Sequence, residues 1–207
     1  MTDVDLVGRA LELGTTYFKS EDFFKASQLF TKAIELARSY SDEELENLRL
    51  RSGLPKRCVN GQGKPWHPKY VKLLDNRAAS WEKLGKLDKA LKDAKNMIRI
   101  EPHNLKCYIR CGKILQKLNK DKEAYSNYSQ GLKMAKEGYQ TYGISVPQKF
   151  INIIQTQKQS IKKRHGREQI EKPETSLKRR YIEPAVDSPV MVKTMKKVTK
   201  HMGLDFI

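Results

Sequence analysis

A fingerprint recurring every 34 residues constrains this chain more than any other feature. The first copy is complete, with Leu13-Gly14, Tyr17, Ala26 and Phe30 at fixed offsets. The second reads Ala78, Trp81, Ala90, Ala94 and Pro102, and the third places Gly112 34 residues after Ala78, followed by Ala124 and Tyr128. A small residue at one offset and a larger one at another suit two antiparallel helices that touch closely. Each such pair keeps an apolar face that only a neighbouring pair covers, so three copies approach the minimum for a stable stack. The expected fold is therefore all-α.

The period is broken once. Gly14 and Ala78 lie 64 residues apart, one repeat plus about 30 inserted residues, here placed at 41–70. Ser41-Asp42-Glu43-Glu44 opens the insertion as a capping box, which predicts a helical segment through Leu50. After Gly53, Pro55, Gly61, Gly63, Pro65 and Pro68 argue for loop. Helical periodicity begins near Val4, with Leu6, Ala10, Leu13 and Tyr17 read as one stripe. Ser20-Glu21-Asp22 caps a second helix carrying Ala26, Phe30 and Ala33. From Val71 to Ala135 the stack reads as regular, with Asn104 an N-cap and Leu87-Asp88 and Asn119 to Asp121 marking turns. A capping helix is expected over 147–163, where Phe150, Ile151, Ile154 and Ile161 form an apolar side with a polar back. The ordered domain is thus 1–164, and 165–207 reads as a basic disordered tail interrupted by Pro173, Pro184 and Pro189.

Composition adds a charge bias. The chain has 207 residues and a net charge of +17, of which residues 148–207 carry 14 basic against 6 acidic side chains. No long apolar run points to a membrane span. The start, Met1-Thr2-Asp3-Val4-Asp5, lacks a basic segment and an apolar centre, and three cysteines are few, which together predict a reducing compartment. Cys107 and Cys111, four apart on one helix, and Cys58 with His67 in the insertion invite a zinc reading. The spacing does not give the usual C-x2-C or H-x3-H pairs, and buried core cysteines are expected instead. No phosphate loop, catalytic triad or paired acids stand out, so neither catalysis nor a cofactor is expected.

The fingerprint resembles that of tetratricopeptide (TPR) arrays, giving an expected solenoid of three helix-turn-helix repeats with an insertion after the first. In such arrays the inner helices line a concave groove. Leu74-Asp75-Asn76-Arg77-Ala78-Ala79, with Lys106 and Arg110, resembles the later part of the carboxylate clamp of co-chaperone TPR domains, while Leu11 and Thr15 stand where that clamp has Lys and Asn. Physically, the Asn76 amide can bond a peptide backbone, and Lys and Arg one turn apart can pair a carboxylate. The candidate partner groove comprises Leu11, Thr15, Phe18, Lys72, Asn76, Lys106, Arg110 and Lys113. Leu11 and Phe18 are expected to offer an apolar contact, and the cations to favour an acidic protein segment. A solvated basic helix face is the competing reading.

Two basic clusters, Lys162-Lys163-Arg164 and Lys178-Arg179-Arg180, have the form of a bipartite nuclear import signal, so a nuclear location is expected. Sequence-independent nucleic-acid contact through the tail is the alternative. Trp66 and Tyr181 are the aromatics read near basic clusters, too few for a stacking platform.

Several stretches are similar to one family, the fungal F-box receptors with an N-terminal TPR domain and C-terminal leucine-rich repeats. They are Leu13-Gly14-Thr15 leading to Phe18-Lys19, the segment from His67 to Asn76, the segment from Lys106 to Cys111, and Arg180-Tyr181-Ile182-Glu183-Pro184. The resemblance implies an adaptor that tethers an SCF ubiquitin ligase to the replisome on chromatin through a replisome scaffold protein, and the stack of helical hairpins is expected to be monomeric. The sequence reaches Ile207 without an F-box or leucine-rich repeats, so it is expected to correspond to the N-terminal portion, with SCF subunits reached only through the missing F-box. Two other classes remain open at this point: a co-chaperone-like receptor for acidic C-terminal peptides, and weak nucleic-acid contact by the tail.

Overall fold

In the computed structural model, residues 5–54 and 65–166 are described, and among them the chain is helical without strands. The helices are α1 (Leu6–Lys19), α2 (Phe23–Ser39), α3 (Asp42–Arg51), α4 (Tyr70–Lys83), α5 (Leu87–Ile100), α6 (Leu105–Lys117), α7 (Asp121–Tyr142) and α8 (Gln148–His165). Helices α1/α2, α4/α5 and α6/α7 pair as the three repeats; α2 packs on α4, α5 on α6, and α8 on α6 and α7. The architecture is a TPR-like stack, with α8 covering the last repeat. The expected tail beyond Gly166 and the inserted stretch 55–64 lie outside the described residues.

Local signals explain the helix starts. Asp5 accepts a hydrogen bond from the Gly8 amide at 2.7 Å and Asp22 one from Lys25 at 3.0 Å, satisfying amides that have no partner within the helix. Ser41 and Glu44 close the capping box reciprocally at the head of α3. Asn104 accepts from Lys106 at 3.1 Å.

All three turns inside repeats share one backbone device. Glu21, Gly85 and Asn119 adopt left-handed φ of 63°, 71° and 58°. The following amides of Asp22, Lys86 and Lys120 donate back to the carbonyls of Tyr17, Trp81 and Leu115, the 6→1 bond of a Schellman stop. Gly85 and Asn119 are residue types that enter this conformation readily, whereas Glu21 adopts it without that preference, held by the bond from Asp22 to Tyr17. The second of these turns precedes Leu87, which is the first residue of α5, so the turn sits earlier than Leu87-Asp88 as read from sequence.

The stripe expected on α1 is corrected. Leu6 and Leu13 are about half exposed, at 51% and 49%, whereas Val7, Leu11 and Gly14 are buried. Leu13 shares its repeat position with Arg77 and Cys111, which face the preceding hairpin; on α1 no described helix lies on that side. Ala10 and Tyr17 of the expected stripe do pack against this core, while its most deeply buried positions lie one residue on from Leu6, Ala10 and Leu13. The end of the insertion is also more structured than a loop. Tyr70 is fully buried in the core with residues of α1, α2 and α4 and receives the Arg38 Nε donor at 2.5 Å, while His67 is buried beside Tyr40.

Close helix approach depends on small residues facing aromatic rings. Gly14 lies under Phe30, and Gly112 lies under Tyr128, whose hydroxyl donates to Gln116 at 3.0 Å. A β-carbon at Gly112 would penetrate the Tyr128 ring, which is fully buried and cannot swing out. Gly112→Val is therefore expected to lower stability by about 3 kcal/mol, the upper end of the usual cost of overpacking. Urea unfolding followed by helical circular dichroism measures it, and a loss under about 1 kcal/mol would mean α6 and α7 separate easily.

Candidate functional site

The groove side of the stack is formed by α1, α4, α6 and α8, the first helices of the three repeats and the cap. Here the fold does something that spacing alone could not show. Arg110 does not project freely: its Nε donates to Asp75 Oδ1 at 2.7 Å and its Nη1 to Glu82 Oε2 at 3.2 Å. Glu82 is in turn held by Lys117 at 2.5 Å. Burial works against the guanidinium charge, but the bond to Asp75 and the fields of Asp75 and Glu82 outweigh it, holding the pKa of Arg110 above its ordinary value. An incoming carboxylate would compete with two resident ones.

The other groove candidates divide into two groups. Asn76 directs its amide toward the Thr15 hydroxyl at 3.5 Å, and that hydroxyl donates to the Leu11 carbonyl at 2.7 Å, so the pair stitches α4 to α1. Leu11, expected to offer an apolar contact, is 5% exposed and belongs to the core, because it lies on the same stripe as Val7 and Gly14. Phe18 is half-buried edge-on against Phe23 with ring centroids 5.2 Å apart, which places it at the turn of repeat one rather than beside Leu11's carbonyl in the groove. Lys72, Lys106 and Lys113 are exposed. The Lys106 ammonium sits 5.4 Å from the Phe150 ring centroid, with Lys149 on the same ring at 5.3 Å. Lys106, Arg110 and Lys113 share one face of α6 by helical spacing. The available cations are thus the lysines, not the arginine.

A cavity of about 320 Å³ opens where the end of the insertion meets the loops between repeats. Trp66, Val71, Ile100, Leu105, Val146 and Phe150 supply apolar lining, with Arg49, His67 and Glu101 among the polar groups. Arg49 Nη1 donates to the Trp66 carbonyl at 3.1 Å, fixing the indole segment to α3. His67 Nδ1 accepts the Lys69 amide at 3.1 Å, and burial lowers the imidazole pKa below its ordinary value. Four separate stretches of chain build this cavity, and none carries a local signal that would reveal it.

The first basic cluster, Lys162-Lys163-Arg164, occupies the last turn of α8. Arg164 holds Asp121 with contacts of 3.0–3.2 Å, and His165 adds one at 2.6 Å. Lys162 lies over the Tyr125 ring. Lys163 is exposed, and Lys178, Arg179 and Arg180 lie outside the described residues. Cys107 and Cys111 are buried in the core as read from sequence, and burial pushes both thiols up, Cys111 to about 11, which leaves them protonated and inert. Cys58 is not among the described residues.

No family model matches the chain. Protein DIA2 of Eremothecium gossypii is 51% identical over 158 residues, 76% of this chain, and protein DIA2 of Saccharomyces cerevisiae is 34% identical over 186 residues, 89% of it. The F-box/TPR repeat protein pof3 of Schizosaccharomyces pombe is 42% identical over 64 residues, 31% of this chain and 11% of its own. The chain spans 23% of the length of each DIA2 relative. Among solved structures, the Sgt2 TPR domain from Aspergillus fumigatus superposes with a TM-score of 0.51 at 18% identity, covering 84% of this chain and 89% of that one. That likeness supports the TPR fold.

Proposed function

The chain is homologous to the TPR region of the fungal DIA2 and Pof3 F-box/TPR proteins, and from that premise we propose that it is the docking module of an SCF-type ubiquitin ligase receptor, binding an acidic segment of a replisome scaffold on chromatin. The 51% identity over 76% of the chain carries the family part of this reading. The groove supplies the chemistry: exposed Lys72, Lys106 and Lys113 attract carboxylates, and the cavity beside Phe150 receives an apolar side chain of the same segment. The module itself is non-catalytic and acts as a monomer. Nuclear entry is assigned to the clusters Lys162-Lys163-Arg164 and Lys178-Arg179-Arg180.

Arg110→Glu is a poor test of this reading, because a third carboxylate beside Asp75 and Glu82 would push α4 and α6 apart. Lys72→Glu combined with Lys113→Glu changes exposed charges instead. The double variant is expected to weaken capture of replisome subunits from nuclear extract by about tenfold, with the wild-type contact weakening as salt rises. Arg179→Glu should leave capture unchanged. Quantitative mass spectrometry of the captured material reads the result, and undiminished capture by the double variant would move the docking surface away from the groove.

A further inference from the structure

The edge of the stack that carries the turns inside repeats has a charge and surface chemistry that groove binding does not use. Contacts between neighbours show that these turns share one edge. Lys83 and Lys86 of the second turn reach Phe23 and Phe24 of the first, Lys117 at the end of α6 reaches Glu82 at the end of α4, and Arg164 at the end of α8 reaches Asp121 at the start of α7. Segments 19–25, 81–89, 117–123 and 158–165 together hold twelve Lys and Arg against six Asp and Glu. Of those six, Asp22, Glu82, Asp121 and Glu123 already face a cation. The opposite edge, segments 5–8, 39–46, 65–72, 99–106 and 143–149, holds five basic against six acidic residues.

Aromatic rings are interleaved with this charge. The Lys86 ammonium lies 5.4 Å from the Trp81 ring centroid and 6.0 Å from that of Phe24, Lys89 lies 4.9 Å from Trp81, and Lys83 lies 5.6 Å from Phe23. Phe24 is 53% exposed, which leaves a ring face open to a ligand. Further along, Lys158 lies 4.6 Å from the Tyr125 centroid. Among the described residues, Lys83, Lys86 and Lys89 have no carboxylate at ion-pair distance. Their charges rest on ring faces alone, an interaction weak enough at an exposed site to be exchanged for a phosphate.

We propose that this turn edge binds single-stranded nucleic acid, with Lys83, Lys86 and Lys89 neutralising phosphates and Phe24 and Trp81 stacking bases. A backbone that repeats its negative charge suits cations spread over successive turns, and bases offer flat faces to the aromatics once the lysine stems swing aside. An acidic peptide would use the lysines but leave the rings idle. A duplex would keep its bases stacked internally and likewise ignore them.

The experiment is a titration of the full chain with a fluorescein-labelled 20-nucleotide oligo(dT), read by anisotropy, and with unlabelled oligo(dT), read by tryptophan fluorescence in a Trp66→Phe background. Trp66 and Trp81 are the two tryptophans, so the background leaves Trp81 as the reporter. Quenching of Trp81 is expected. Lys83→Gln/Lys86→Gln/Lys89→Gln is expected to lose at least about tenfold in affinity at low salt and to reduce the slope of log affinity against log salt by about 2, given roughly 0.7 per phosphate contact. Phe24→Ala is expected to weaken oligo(dT) binding while leaving the salt slope alone. The triple variant retains the tail, so unchanged affinity in it would assign binding to residues 167–207 and overturn the proposal. Equal affinity for poly-glutamate or for duplex DNA, or an unresponsive Trp81, would overturn it as well.

Discussion

Arg77→Ala is expected to lower the stability of the stack by about 3–5 kcal/mol, the range for removing one partner of a buried ion pair. The Arg77 side chain is 17% exposed and that of Asp93 only 4%. Two hydrogen bonds join them, Nε to Oδ2 at 2.8 Å and Nη2 to Oδ1 at 2.7 Å, while Nη1 donates to Thr31 Oγ1 at 3.2 Å. One guanidinium therefore ties α4 to α5 within its repeat and to α2 of the previous one. Alanine would leave the Asp93 carboxylate dry and without its counterion, and that penalty, rather than the worth of the pair, sets the magnitude. The double variant Arg77→Met/Asp93→Leu is expected to recover most of the loss, since apolar groups of similar size need no partner there. Urea titration of the three proteins measures this. A single-variant loss below about 1 kcal/mol would mean that water reaches Asp93 in the native state.

Phe30→Ala is expected to cost a similar amount, about 3–5 kcal/mol. The ring is fully buried and fills the space that the absent side chain of Gly14 leaves, with Cε1 only 2.6 Å from where a β-carbon on Gly14 would stand. Removing it opens a void between α1 and α2 that the repeat cannot collapse, because α4 braces α2 from the other side. The two positions should be coupled. Gly14→Ala destabilises the wild-type chain by clash but is expected to cost less, or to help, in the Phe30→Ala background, where it occupies part of the void. A double-mutant cycle on thermal or urea unfolding tests the coupling, and strict additivity would show that the two residues are not packed as described.

Both positions illustrate how far a sequence fingerprint reaches. Gly14 with Phe30 and Gly112 with Tyr128 recur at fixed offsets, so the helix contacts and the order of the repeats could be read directly. Asp22, Ser41 and Asn104 marked helix starts for the same kind of reason, since capping is a matter of neighbours in sequence. The buried pair Arg77–Asp93 is not legible in the sequence, because two charged residues 16 apart look like surface residues until two helices bring them together. A similar limit applied to aromatics. Trp66 and Tyr181 stand near basic clusters in the sequence, yet the rings that meet lysines in the fold include Phe24, Trp81 and Tyr125.

What the sequence by itself determined is the repeat: its helical period, its length, its small-to-large contacts and its interruption, along with the family resemblance. These are properties of residues a few positions apart, or of copies at constant spacing, and they survive in a linear string. Tertiary structure alone decided which cations are available to a ligand. Arg110, one turn from Lys106 and by spacing its partner in holding a carboxylate, is occupied by Asp75 and Glu82 from the neighbouring repeat, while Lys72 and Lys113 stay in solvent. It also decided that Leu11 is core and Leu13 is surface, a difference in helix phase that an apolar pattern with leucines on both sides cannot express. The physical reason is common to all these cases: periodicity reports which residues share a face of one helix, but charge compensation and burial depend on what the next helix places against that face.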